Sequence, residues 1–315
     1  MLVEKQIAAG LTTVNYELLA IVDEPSLDEI PGCWSVEIVS RSISSKEWQG
    51  EIDHVFQLIN ENFDIYLSTG CSMHVHVSPA PLESHVYNLG QLQSILKATA
   101  LYDKAITNVM PADRKENPYC QPNFAPRREK RHQSEKDMNN HIRDAFERVE
   151  SQGWKGLFAQ FDNLRPIQKN IIQLVFFGES RYLSWNFAHL ASSCGTIEFR
   201  RPPGVRDAAA AKHWIAFTLV FLSGALALAH TFDPNSKTHA TVEDLLELIE
   251  TGHSTLPSYC KGALNPALLQ VDSSSPHPYS GAGLTAIKRK KDAKKDKRSN
   301  FVEKLRSQPN SPAHD

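Results

Sequence analysis

An α+β fold, with an antiparallel β-sheet and helices packed on one side of it, is what this sequence specifies. Two stretches alternate with a period of two, as strands do: Cys71-Ser72-Met73-His74-Val75-His76-Val77-Ser78-Pro79 and Gly195-Thr196-Ile197-Glu198-Phe199-Arg200-Arg201. Around them, residues 48–63 and 88–110 carry apolar side chains at helical spacing.

Taken in order, residues 14–22 read as a strand or short helix, closed by the turn Asp23-Glu24-Pro25-Ser26. Ser35–Ser40 is a strand with Glu37 on the face opposite Val36 and Ile38. The first helix, Trp48–Phe63, buries a stripe of Ile52, Val55, Phe56, Leu58 and Ile59 and leads into the His74/His76 strand. A second helix over 88–110 uses Leu89, Leu92, Ile95, Leu96 and Leu101, and Pro111 stops it. Ala112–Ser134 is polar and rich in Pro and Arg, too poor in apolar residues for a core element. It reads as a long, solvated loop from which Arg114, Arg127 and Arg128 could reach a phosphate group.

A charged helix is expected over 137–151, then apolar stretches at 171–177 and 182–187, then the Glu198 strand, which Pro202-Pro203-Gly204 ends. Asp207 is a plausible N-cap for a helix running through the apolar 214–229 segment. Thr241–Thr251 predicts another helix, with Thr241 as N-cap and Gly252 as its stop. Ser, Pro and Gly dominate from Asp272 onward, and Lys288-Arg289-Lys290-Lys291 opens a basic tail. The expected organisation is a domain over 1–270 and a disordered, low-complexity tail over 271–315.

With 315 residues, 41% of them hydrophobic, the chain can bury a sizeable core in one large domain or two small ones. Its formal charge of −2 hides an asymmetry: residues 288–315 carry +6 and the remainder −8. An acidic body suits cation binding and argues against a nucleic-acid surface, so only the tail is a candidate for nucleic-acid contact. Five cysteines without a C-x-x-C pair read as free thiols of a reducing compartment, which points to the cytoplasm, with nuclear import through the tail as the variant. Met1–Leu11 has no secretory pattern. The most lipid-like run, Trp214–Ala229, has sixteen residues, short of the roughly 20 that cross a bilayer. A buried helix is the expectation there, and no membrane.

The alternation places His74 and His76 on one face of their strand, and Glu198 and Arg200 on one face of theirs. Paired imidazoles can hold a cation or touch a phosphate, though H-x-H is a common string and an exposed strand face is the plainer reading. The second strand strengthens the functional reading, because a carboxylate beside a guanidinium suits a metal next to an anion. If Glu37, His74, His76 and Glu198 share one sheet face, the mixed carboxylate and imidazole ligands suit Mg²⁺ or Mn²⁺ with a nucleotide, or else Zn²⁺. Arg200 cannot ligate a cation but can neutralise a phosphoryl oxygen beside one. No H-E-x-x-H, Walker A or G-x-S-x-G pattern occurs, which removes the common zinc-protease, P-loop and serine-hydrolase readings.

In order, Val36-Glu37-Ile38-Val39-Ser40, then Met73-His74-Val75-His76-Val77, then Arg181-Tyr182 with Asn186, then Gly195-Thr196-Ile197-Glu198-Phe199-Arg200 resemble the amidoligase family. So does Arg114 with Asn117-Pro118-Tyr119-Cys120. That family is similar to the catalytic domains of glutamine synthetase and glutamate–cysteine ligase, and the similarity spans about residues 15–250. It implies an ATP-dependent carboxylate–amine ligase working through an acyl phosphate, with Mg²⁺ or Mn²⁺ bridging the nucleotide and small-molecule or peptide carboxylates and amines as substrates. By resemblance, Glu37, His76 and Glu198 are metal ligands, and His74 a ligand or phosphate contact. Arg200 is the residue on the transferring phosphoryl group, with Arg201, Arg181 and Arg114 as helpers. Asn186 lies in the matching motif, where its expected part is only to position its neighbours through hydrogen bonds.

The family's opening strand carries two acids in a pattern like F-G-x-E-x-E, where this sequence has Tyr16-Glu17-Leu18. Ser72 stands where the family has Gly, and Arg41 where it has Pro. The expectation is a domain without the first acidic strand. A catalytically impaired relative that only binds nucleotide or a partner therefore stays open beside the ligase.

Overall fold

The computed structural model describes residues 19–24, 27, 30–79, 87–124, 144–164, 182–191 and 195–276. The chain divides into two compact units, residues 45–278 and residues 1–44 with 279–315.

In the larger unit, three short antiparallel strands lie side by side: β3 (Val75–Val77), β5 (Ile197–Phe199) and β4 (Trp185–Asn186), with β5 in the centre. Around them run α1 (Trp48–Asn62), α2 (Leu89–Leu101), α3 (Asp103–Val109), α4 (Ala112–Lys115), α5 (Val149–Gln152), α6 (Lys155–Asp162), α7 (Ala208–Leu228) and α8 (Val242–Thr255). Val75 pairs with Phe199, and Val77 with Ile197, so apolar side chains fall on one sheet face. That face packs on α7: the Trp185 ring lies 4.4 Å from Phe199 and stacks on Phe221 at 4.8 Å, while Phe199 meets Phe217 at 5.5 Å. The fold is α+β with helices against the apolar face, as the alternation predicts. The strands are shorter than the alternating runs, although pairing resumes beyond them, where Met73 donates to the Pro202 carbonyl and Ser72 bridges Pro203.

Local signals place the helix starts. Asp207 caps α7 by accepting the Ala210 N–H at 2.8 Å. Thr241 and Asp244 form a reciprocal capping box at the start of α8, as Asn88 and Gln91 do for α2. The helix expected over 88–110 is broken at Tyr102, which caps α2 and starts α3. Gly252 does not end α8, which runs on to Thr255. A Cβ at Gly252 would overlap the Val220 carbonyl oxygen, and one at Gly224 the Leu248 carbonyl. Those two glycines let α7 and α8 touch backbone to backbone, so Gly252 serves the crossing and not a C-cap.

Among the described residues, Ala208–Thr231 is the one helical stretch long and apolar enough to cross a membrane, and half of it is buried within the chain. Ala112–Lys115, expected in a solvated loop, is a helical turn with Arg114 and Lys115 buried. Cys33, Cys71, Cys120 and Cys260 are free thiols. In the smaller unit, β1 (Ala20–Asp23) and β2 (Val36–Val39) form a separate antiparallel ribbon, with Glu37 opposite Val22. Among the described residues, the strands thus make two sheets and not one. The expected 171–177 segment, Arg127, Arg128, residues 137–143 of the expected 137–151 helix and the basic tail lie outside the described residues.

Candidate functional site

The sheet's second face is polar, and its centre is one row across three strands. His76 of β3 pairs directly with Glu198 of β5, and Asn186 of β4 pairs with Glu198 from the other side. Directly opposed residues of an antiparallel pair project to the same face, so the three side chains converge. Glu198 is 1% exposed and both of its carboxylate oxygens are engaged. Arg200 donates from Nη1 to Oε1 at 2.5 Å, and Asn186 donates from Nδ2 to Oε2 at 2.6 Å.

Three imidazoles surround that carboxylate. His74 Nδ1 and His76 Nε2 each lie 3.4 Å from Oε1, and His189 Nε2 lies 3.6 Å from Oε2. The His76 and His189 rings meet edge to face, 4.9 Å apart. Each strand imidazole has a second hold. His76 Nδ1 meets the Thr196 hydroxyl at 3.2 Å, while His74 Nε2 meets the Ser72 hydroxyl at 3.1 Å. Arg200 Nη1 also stands 3.4 Å from His74 Nδ1.

Burial alone would raise the Glu198 pKa. The His76 hydrogen bond and the Arg200 charge, with His76 and His74 behind them, outweigh it and hold the carboxyl at about 2. Burial first, and then Arg200, push His74 down to about 3, so this imidazole is neutral near pH 7. His189 is lowered as well, by burial and then by His76. The site at neutral pH is thus an ionised carboxylate, a permanent cation and at least one neutral imidazole.

The family described as "Putative amidoligase enzyme" matches residues 9–222, more than half of the chain and all of this polar row. The chain belongs to this family. Comparison with curated proteins and with solved structures returns no match. Membership supports a ligase activity in general terms.

The other residues expected in this amidoligase's site are Arg114, Arg201, Glu37 and Arg181. Arg114 is 1% exposed and donates to main chain: Nε to the Arg201 carbonyl and Nη2 to the Arg200 carbonyl, both at 3.0 Å. Arg201 is fully buried, donates from Nη2 to the Lys115 carbonyl at 3.0 Å and stands 3.9 Å from Asp103. Arg114 and the Nη2 of Arg201 therefore hold the chain's own backbone, while Arg201 Nε and Nη1 are buried with no hydrogen-bond partner among the described residues. Glu37 lies on β2 of the smaller unit, and its side chain is exposed. Arg181 lies outside the described residues.

His189 escaped the reading by alternation because it sits in a 3₁₀ turn, Ala188–Ala191, and on no strand. Asn186 brings it in: its Oδ1 accepts the Ala188 N–H at 3.0 Å while its Nδ2 holds Glu198. The family resemblance implies a divalent cation, and the donors fit one. An ionised carboxylate and the ligand nitrogens of His76 and His189 all lie within 4.8 Å of one another. Arg200 fits a neighbouring anion, since its Nε is buried with no hydrogen-bond partner among the described residues.

Proposed function

We propose that this amidoligase-family chain is an ATP-dependent carboxylate–amine ligase that forms an amide or isopeptide bond. The observation that supports it is Arg200, one arm on Glu198 at 2.5 Å and its Nε–H buried without a partner among the described residues. A guanidinium so placed joins a cation-binding carboxylate to an oxyanion, the pairing that phosphoryl transfer requires.

In the proposed reaction, a carboxylate oxygen of the first substrate attacks the γ-phosphorus of ATP, and the bond to ADP breaks. The amine nitrogen of the second substrate then attacks the acyl carbon, phosphate leaves, and the nitrogen gives up a proton. Glu198 and His76 would hold the divalent ion, Mg²⁺ or Mn²⁺, which when bound offsets the charge of the nucleotide phosphates. Arg200 would neutralise the oxygens of the moving phosphoryl group. His74, neutral and engaged by Ser72 and Arg200, would serve as a polar contact and not as a base. Asn186 keeps Glu198 oriented throughout.

The test is ADP release from ATP with Mg²⁺ or Mn²⁺, screened against pooled amino acids and amines. Release that requires both a carboxylate and an amine is expected. ATP binding without ADP release under any pool would favour an impaired, binding-only relative.

A further inference from the structure

We infer that His76, His189 and Glu198 form a site for a first-row transition-metal ion, taken in preference to Mg²⁺, with His189 as the ligand that sets the preference. The inference rests on the proposed function, since this is the cation site of that reading, and it names the ion class and a ligand beyond it.

The donor set argues first. Two imidazole nitrogens and one carboxylate suit Mn²⁺, Co²⁺ or Zn²⁺, whereas Mg²⁺ favours oxygen, keeps several waters and leans on nucleotide phosphates. Charge argues in the same direction. Arg200 at 2.5 Å already neutralises much of the Glu198 carboxylate. A cation binding here without nucleotide must succeed through donor strength, which imidazoles supply and net negative charge does not.

Spacing agrees. An ion with bonds of about 2.1 Å separates its donors by roughly 3.0–3.4 Å. His76 Nε2 stands 3.4 Å from Glu198 Oε1 and His189 Nε2 3.6 Å from Oε2, and with one ligand atom from each residue the three lie within 4.8 Å, so side-chain rotation closes the site.

The supporting contacts complete the argument. A metal-bound imidazole is held through its other nitrogen, and its carboxylate partner is itself hydrogen-bonded. Thr196 holds His76 at Nδ1, and Asn186 ties Glu198 to the turn that carries His189. His74 stands apart from this set, since Ser72 and Arg200 engage its two nitrogens.

The test uses metal alone. Full-length protein stripped by chelation is titrated with Co²⁺ and, separately, Mg²⁺, without nucleotide, following the visible absorption of bound Co²⁺ and calorimetric heat. Co²⁺ should bind at least about 100-fold more tightly than Mg²⁺ and give an absorption band that excess Zn²⁺ removes. His189→Ala should weaken Co²⁺ about 10-fold or more and change the band, with circular dichroism unchanged. His189→Gln, which keeps bulk and polarity, should behave like His189→Ala. Equal Co²⁺ and Mg²⁺ affinity, or wild-type Co²⁺ binding in both variants, would overturn the inference. Because ADP release with Mg²⁺-ATP is measured separately, failure of the ion preference and failure of the ligase reading give different results.

Discussion

Arg114 grips the main chain of Arg200: its Nη2 donates to the Arg200 carbonyl at 3.0 Å while its Nε takes the next carbonyl, that of Arg201. A polar side chain from a single helical turn thereby fixes the exit of β5, the point from which Arg200 reaches back to Glu198. Arg114→Ala would leave two carbonyls without their donors in a buried setting and open a cavity, a loss of about 3 kcal/mol or more. Arg114→Lys, with one nitrogen for two carbonyls, should lose about 1–2 kcal/mol. Urea unfolding of both variants checks this. Wild-type stability in Arg114→Ala would mean that the grip is incidental.

The α7–α8 crossing gives a second expectation. Gly252 faces the Val220 carbonyl oxygen with no room for a Cβ, and what blocks it is backbone, which cannot swing aside. Gly252→Ala must push the helices apart and should lose about 3 kcal/mol. Gly50 sits in α1, and a Cβ added there would meet nothing within 4 Å. Gly50→Ala should therefore gain about 0.5–1 kcal/mol from helix propensity. Thermal melts of the two variants should move in opposite directions. A shared direction would contradict the backbone-contact account.

His213 supplies a pH dependence remote from the site. It is buried on α7, its Nδ1 accepts the Asn265 N–H at 3.0 Å, and burial pushes its pKa from 6.5 down to about 4. A lowered folded-state value means that the neutral ring stabilises the fold above about pH 6.5. That contribution is lost as the pH falls toward about 4. Between pH 7 and pH 5 the loss should be about 2 kcal/mol, and His213→Gln, which keeps an acceptor but cannot titrate, should flatten it. Urea unfolding at the two pH values measures the difference. Equal pH dependence in wild type and variant would remove His213 as the cause.

What could be read from the sequence was whatever depends on neighbours in the chain. Alternation put His76 and Glu198 on polar faces, and the ladder sets those faces together because the two residues pair directly. Asp207 and Thr241 cap through contacts only three residues away. The parts that could not be read depend on distant partners. Gly252 looks like a helix stop until Val220 of another helix is seen beside it. Arg114 lies in a turn too short to show a period, and its partners stand 86 and 87 positions away. His189 follows Asn186 by three residues, and that spacing becomes informative only once Asn186 is known to hold Glu198. The ribbon strand bearing Glu37 belongs to the other unit, and local alternation cannot say which strands share a sheet.

Arg200→Lys separates the chemistry from the scaffold. The guanidinium has one nitrogen on Glu198, another buried without a partner among the described residues, and its main-chain carbonyl fixed by Arg114. Lysine keeps the charge and offers one nitrogen at a single point. It can stay with Glu198 or meet a phosphoryl oxygen, but it cannot span the two as a planar fork does. The backbone grip does not depend on the residue 200 side chain, so the melting temperature should stay within about two degrees of wild type. On the proposed reaction, turnover should fall about 10²-fold, the scale seen when one preorganised donor to a developing oxyanion is removed. ADP release and a thermal melt on the same preparation make the comparison. Unchanged turnover would reduce Arg200 to a counter-ion for Glu198, and a collapse in stability would assign it to the fold.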